Sequence, residues 1–138
     1  MCSASAPLDI LVLSDLHEPD PAAASGPVSG RRGEWARLFA MRAIERLRQQ
    51  GIEPGLILVL GDLVDDGNAP GAEAAWMRLA GQLLGTGIPV LAVPGNHDER
   101  PERVAALFNT EPGLHRIGGY GFLAVSYTHL TLPTILRV

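Results

Sequence analysis

Lysine is absent from the chain: all 11 basic residues are Arg, against 15 Asp and Glu, for a net charge of −4. A weakly acidic chain lacks the positive surface needed to wrap nucleic acid. It likewise lacks a polybasic face for anionic membranes. Cysteine occurs once, as Cys2, which excludes an intrachain disulfide and a thiolate metal cage. Any metal site must therefore be built from Asp, Asn, His and water. No apolar run approaches the ~18–20 residues that span a bilayer. The N-terminus has no basic leader, and Asp9 interrupts its apolar stretch, so a secretory signal is not expected. These absences predict a soluble, cytoplasmic protein. What remains is a 138-residue chain that is 46% hydrophobic, enough for one domain with a real core.

The apolar pattern alternates between two periods. Leu8 to Leu13 and Leu56 to Leu60 read as strands buried on both faces, as does Ile88 to Val93. Between them, Glu34 to Gln50 carries Trp35, Leu38, Phe39, Ile44 and Leu47 at helical steps, with Gly51 as its stop. Pro70 to about Leu84 reads as a second helix with Trp76, Leu79, Ala80 and Leu83 inward; both Trp residues are expected to pack. Pro19 to Gly33 is expected to be an irregular loop. A short helix from Pro101 to Phe108 and a fourth strand from Ile117 to Val125 complete the series. Strands alternating with helices predict an α/β fold with a parallel sheet.

In a parallel sheet the carboxyl ends of all strands lie on one edge, where open α/β sheets place their ligands. Here the strands end in Asp15 and His17, then Asp62, Asp65 and Asp66, then Asn96, His97 and Asp98. Packing needs none of these, and crowded carboxylates repel unless a cation lies between them. Carboxylate, amide and imidazole without sulfur suit Mn, Fe, Zn, Co or Mg. Several carboxylates can hold two divalent ions about 3.5–4 Å apart, an arrangement suited to cleaving phosphate esters.

Asp15-Leu16-His17, Gly61-Asp62-Leu63-Val64-Asp65 and Gly95-Asn96-His97-Asp98 resemble, in order and spacing, the first three signature blocks of the calcineurin-like metallophosphoesterases. The resemblance runs from about Asp9 to Val125. It implies the N-terminal half of a four-layer αββα sandwich and two divalent metal ions. It implies that Asp15 and His17 bind one metal, Asp62 bridges both, and Asn96 binds the second. His97 would face the substrate and protonate the leaving oxygen, with Asp98 orienting it; Asp65 would steady the loop. Asn96 would also contact substrate, and Arg100 would either contact a substrate phosphate or serve as a surface residue. Asp66 is expected to be a solvated acid.

Gly-Asn-His-Asp with Arg100 two residues on, and Asp-Leu-Val-Asp-Asp-Gly upstream, resembles the bacterial class III cyclic-nucleotide phosphodiesterase branch. The implied reaction is phosphodiester hydrolysis, with 3',5'-cyclic nucleotides among the expected substrates, through a hydroxide bridging the two ions. A phosphomonoesterase or nucleotide pyrophosphatase on the same scaffold, and an inactive fragment or binding module, are the competing readings. The expected partner is a small phosphate ester or nucleotide.

The family's later His and Gly-His-x-His blocks are not recognisable. His115 is expected in a loop, and His129 falls in Ser126-Tyr127-Thr128-His129-Leu130-Thr131-Leu132-Pro133-Thr134, which does not continue the family pattern. That string resembles adapter-derived endings of predicted genes. The expectation is an incomplete domain over residues 1–125 and a non-native tail over 126–138. An incomplete domain is expected to leave apolar surface exposed and to bind metal weakly.

Overall fold

The computed structural model describes residues 6–22 and 32–125. The tail from Ser126 and part of the Pro19 to Gly33 loop lie outside the described residues. Strands and helices alternate as β1 (Ile10–Leu13), α1 (Gly33–Gln49), β2 (Leu56–Leu60), α2 (Ala72–Gly85), β3 (Val90–Val93) and α3 (Pro101–Phe108), followed by β4 (Gly113–Ile117) and β5 (Tyr120–Ala124). Among the described residues, β1, β2 and β3 form a parallel sheet in that order. Leu11 pairs with Ile57, and Ile57 with Val90. Branched residues suit this pleated, buried setting.

The core lies on one face of that sheet. Ile57, Val59, Val90 and Ala92 point into it and meet Ala40 and Ile44 of α1, Trp76, Leu79 and Leu83 of α2, and Val104 and Phe108 of α3. Successive strand residues point to opposite faces, so Ile10, Val12 and Leu60 lie on the other side. There they remain 40%, 53% and 53% exposed. Among the described residues, this second face of the sheet is an exposed apolar surface.

The first helix differs from expectation in which stripe it buries. Ala40 and Ile44 face the core and Gly33 is buried against the His17 backbone, whereas Trp35, Leu38 and Phe39 are exposed. Trp35 packs edge-on against Phe39 at the surface, with ring centroids 6.2 Å apart. Small residues at the contact let α1 approach closely and displace the aromatic stripe outward. Trp76, by contrast, is buried as expected.

The fourth strand also needs correction. Ile117 to Val125 is not a further parallel strand: β5 pairs antiparallel with β4 in a separate sheet. Gly118 and Gly119 have φ of 58° and 84°. Positive φ at both central residues is what a tight hairpin turn requires. His115 therefore sits in β4, not in a loop, and its Nε2 contacts the Glu111 carbonyl at 2.8 Å. The hairpin reaches the start of the chain through Tyr120, whose hydroxyl donates to the Ala6 carbonyl at 3.3 Å. Among the described residues, no helix is long and apolar enough to cross a membrane.

The two sheet faces make unequal demands. Ile57→Ala, at a fully buried position, is expected to cost about 2–5 kcal/mol in urea unfolding. Ile10→Ala on the open face is expected to cost less than about 1 kcal/mol. Equal losses would place the core elsewhere.

Candidate metal centre

Backbone pairing does not stop where β1 and β2 end. Asp15 N–H donates to the Gly61 carbonyl (3.2 Å), His17 N–H to Asp62 (2.9 Å) and Glu18 N–H to Leu63 (2.8 Å). Asp65 N–H returns a bond to the Glu18 carbonyl at 3.1 Å. The two loops thus continue the sheet's register, and side chains from both rise at the same edge. Continuing the pairing requires a sharp local turn: Asp15, His17 and Asp62 have φ of 54°, 46° and 51°. Left-handed backbone outside glycine is uncommon, though Asp and His tolerate it better than most. Each such residue costs on the order of 1–3 kcal/mol, and strain of this kind gathers at functional sites.

The third loop is fastened to the second. His97 N–H donates to Asp62 Oδ1 at 3.0 Å, and Gly67 N–H donates to the His97 carbonyl at 2.8 Å. Gly61 and Gly95 meet face to face: a Cβ on Gly61 would lie 2.9 Å from Gly95 Cα. A Cβ on Gly95 would collide with the Asp62 carboxylate and amide. Glycine is required at both positions for the loops to touch.

Asp98 makes the principal bond between these loops. It is fully buried. Its Oδ1 accepts from Leu63 N (3.0 Å), Val64 N (3.2 Å) and Trp76 Nε1 (3.5 Å), and its Oδ2 accepts from Gly95 N at 2.8 Å. Burial pushes its carboxyl above the usual range, against the opposing pull of these donors. The expectation that Asp98 orients His97 is therefore replaced: its oxygens are taken up by the loop backbones and the indole. The His97 ring instead meets the Asp65 carbonyl, 2.8 Å from Nδ1.

The side chains converge as follows. His17 Nε2 lies 3.9 Å from an oxygen of Asp15 and 3.9 Å from an oxygen of Asp62. These ligand atoms are all within 4.8 Å of one another. The separations are too long for hydrogen bonds. They suit atoms around a shared ion, because two ligands each about 2.1 Å from one metal lie roughly 3–4 Å apart. The opposite ring nitrogen, Nδ1, faces Asp65 Oδ1 at 3.8 Å, so a carboxylate stands behind the imidazole as it commonly does behind metal-binding His. The His17 and His97 rings are perpendicular with centroids 4.8 Å apart, and His17, Asp65 and His97 form a second group of possible donors. Donor chemistry and spacing both fit a hard or borderline divalent cation.

The remaining residues fall around this centre. Asn96 is exposed on the same loop, one residue before His97. Arg100 lies over the Trp76 ring at 5.7 Å, a packing contact that sequence reasoning did not foresee. Asp66 caps a turn by accepting from Asn68 N–H at 2.8 Å. A cavity of about 190 Å³ opens beside the centre between Asp15, His17 and the start of α1, lined also by Leu16, Arg32, Gly33 and Ala36. Arg32 had no signal in the sequence beyond its place near the end of a polar loop.

Gly95→Ala is expected to push the Asp62 carboxylate aside and weaken Mn²⁺ binding, read by EPR titration, about 10–100-fold. Gly81→Ala, where a Cβ meets open space in α2, should leave affinity unchanged and stabilise the helix by about 0.5–1 kcal/mol. Unchanged affinity in Gly95→Ala would disconnect the glycine contact from the centre.

Comparison with known proteins agrees with this geometry. The chain is 35% identical over 101 residues to the Metallophosphoesterase 1 homolog of Drosophila melanogaster, a match covering 67% of this chain and 25% of that protein. It is 38% identical over 90 residues to a "Probable cyclic nucleotide phosphodiesterase" of Moraxella catarrhalis, covering 65% and 27%. A Synechococcus protein of the same description is 35% identical over 106 residues, covering 76% and 36%. The chain thus spans about a quarter to a third of the length of these relatives. The profile of the Calcineurin-like phosphoesterase family matches residues 8–133. With its three loops joined around Asp15, His17 and Asp62, the chain belongs to the calcineurin-like phosphoesterases, a family of metal-dependent hydrolases.

Proposed function

We propose that the protein hydrolyses phosphodiesters, with 3',5'-cyclic nucleotides as the substrate class, using two divalent cations. The observation that carries this reading is the meeting of Asp15, His17 and Asp62 ligand atoms within 4.8 Å at one sheet edge. The description of two relatives as cyclic nucleotide phosphodiesterases supports the substrate class. Asp15 and His17 would hold the first cation, with Asp62 serving both and Asn96 the second. Bound there, divalent cations supply positive charge for the phosphoryl oxygens and acidify water.

The chain's own groups do the rest. The Asp65 carbonyl, in contact with Nδ1 of His97 at 2.8 Å, fixes the imidazole, whose Nε2 serves as proton donor to the departing alkoxide. His97's backbone amide holds Asp62 in place, so one residue aligns both the cation pocket and the proton. Asp98 holds the two loops at their spacing. For this 138-residue chain we propose weak cation binding and little turnover, because imidazole ligands of the later family blocks are not recognisable after Asp98.

In the full-length protein assayed with Mn²⁺ on bis(p-nitrophenyl) phosphate, His97→Ala is expected to lower kcat/KM about 10²–10⁴-fold. Chelation should abolish turnover. Hydrolysis that survives both treatments would remove the proposed chemistry, and a preference for phosphomonoesters would correct the substrate class.

A further inference from the structure

Glu18 follows His17 directly and is 1% exposed. Both its carboxylate oxygens accept from Arg37 Nε at 3.2 Å, and Arg78 Nη1 lies 3.3 Å from Oε1. Arg37 belongs to α1 and Arg78 to α2, so one carboxylate ties two helices to the first loop. The backbone of Glu18 is equally committed, donating to Leu63 and accepting from Asp65. Its pairing with Val64 is the one bridge between these loops recorded outside the named strands among the described residues.

Chemistry at the centre makes no use of this carboxylate. Burying a charge is unfavourable even when it is paired, and apolar residues of similar size often serve stability as well or better. A purely structural need does not call for an ion pair here. The preceding residue does have a special need: His17 holds a left-handed backbone, which persists only where its surroundings over-determine it. Gly33, the first residue of α1, presses on the His17 carbonyl from one side. The Arg37–Glu18–Arg78 bridge anchors the next residue from the other.

We propose that Glu18 is a positioning residue: bridged by Arg37 and Arg78, it fixes the His17 backbone and so aims the imidazole Nε2 at the Asp15 and Asp62 carboxylates. The inference rests on reading that group as a cation site. It links the two helices to cation affinity, so that α2, which carries no ligand, still tunes the centre through Arg78.

The test compares wild type, Glu18→Gln and Arg78→Met in the 138-residue chain. Mn²⁺ affinity is measured by EPR titration well below the unfolding temperature, beside thermal unfolding by circular dichroism. Glu18→Gln keeps the side-chain shape and the backbone bonds but removes the charge. Arg78→Met is remote from the ligands and preserves much of the stem packing. Both folded variants are expected to bind Mn²⁺ about 10-fold or more weakly than wild type. A lower unfolding temperature with wild-type affinity in either variant would overturn the positioning role and leave an ordinary structural ion pair. If Glu18→Gln does not fold, Arg78→Met decides alone. Wild-type chain whose Mn²⁺ signal is untouched by Asp62→Ala would refute the cation site itself, a failure separable from that of Glu18.

Discussion

The parallel register of β1 and β2 governs this molecule because it does not end with the strands. Carbonyls of Gly61, Asp62 and Leu63 continue to accept amides from Asp15, His17 and Glu18. Keeping that pairing while the chain turns forces Asp15, His17 and Asp62 into left-handed backbone. The same constraint that strains these residues also raises their side chains together. Like-charged oxygens on Asp15 and Asp62 face one imidazole, an arrangement that a cation would stabilise far better than water alone.

A second element keeps the strained loops from relaxing. The buried Asp98 carboxylate gathers amides from both flanking loops together with the Trp76 indole. Glycines at positions 61 and 95 let those loops touch, and Gly67 packs in the same way on the Asp98 backbone. Hydrogen bonds to a charged acceptor are worth about 1.5–3 kcal/mol each, and leaving such donors unmet in the interior is costly. Asp98 and the glycines therefore supply the rigidity on which ligand geometry depends, while Glu18 extends that support to α1 and α2.

Much of this was legible in the residues. Continuous apolar runs marked β1, β2 and β3, and the polar sets following them named Asp15, His17 and Asp62, which the structure brings together. Other features were not legible for physical reasons. The first helix carries two stripes at helical spacing, and periodicity does not say whether Trp35 and Phe39 or Ala40 and Ile44 face inward. Small side chains won because they permit close approach. Gly118-Gly119 suits both a strand entry and a hairpin turn, and the turn prevailed once β4 supplied a partner. The resemblance implied that Asp98 orients His97, yet in a tight turn neighbouring side chains diverge, and Asp98 turns instead to the loop amides and the Trp76 indole. Left-handed backbone at Asp15 and His17 leaves only a tolerance in the sequence, never a signature.

The central claim is that three loops at one sheet edge form a single cation pocket. It is tested most directly by adding Mn²⁺ to the ¹⁵N-labelled chain and following paramagnetic broadening of its amide signals. The account predicts that amides of Asp15 to His17, Gly61 to Leu63 and Gly95 to His97 broaden first and together, and that Asp62→Ala removes the effect. Broadening that begins instead at exposed acids such as Glu45 or Glu102, or that leaves any of the three loops untouched, would contradict it.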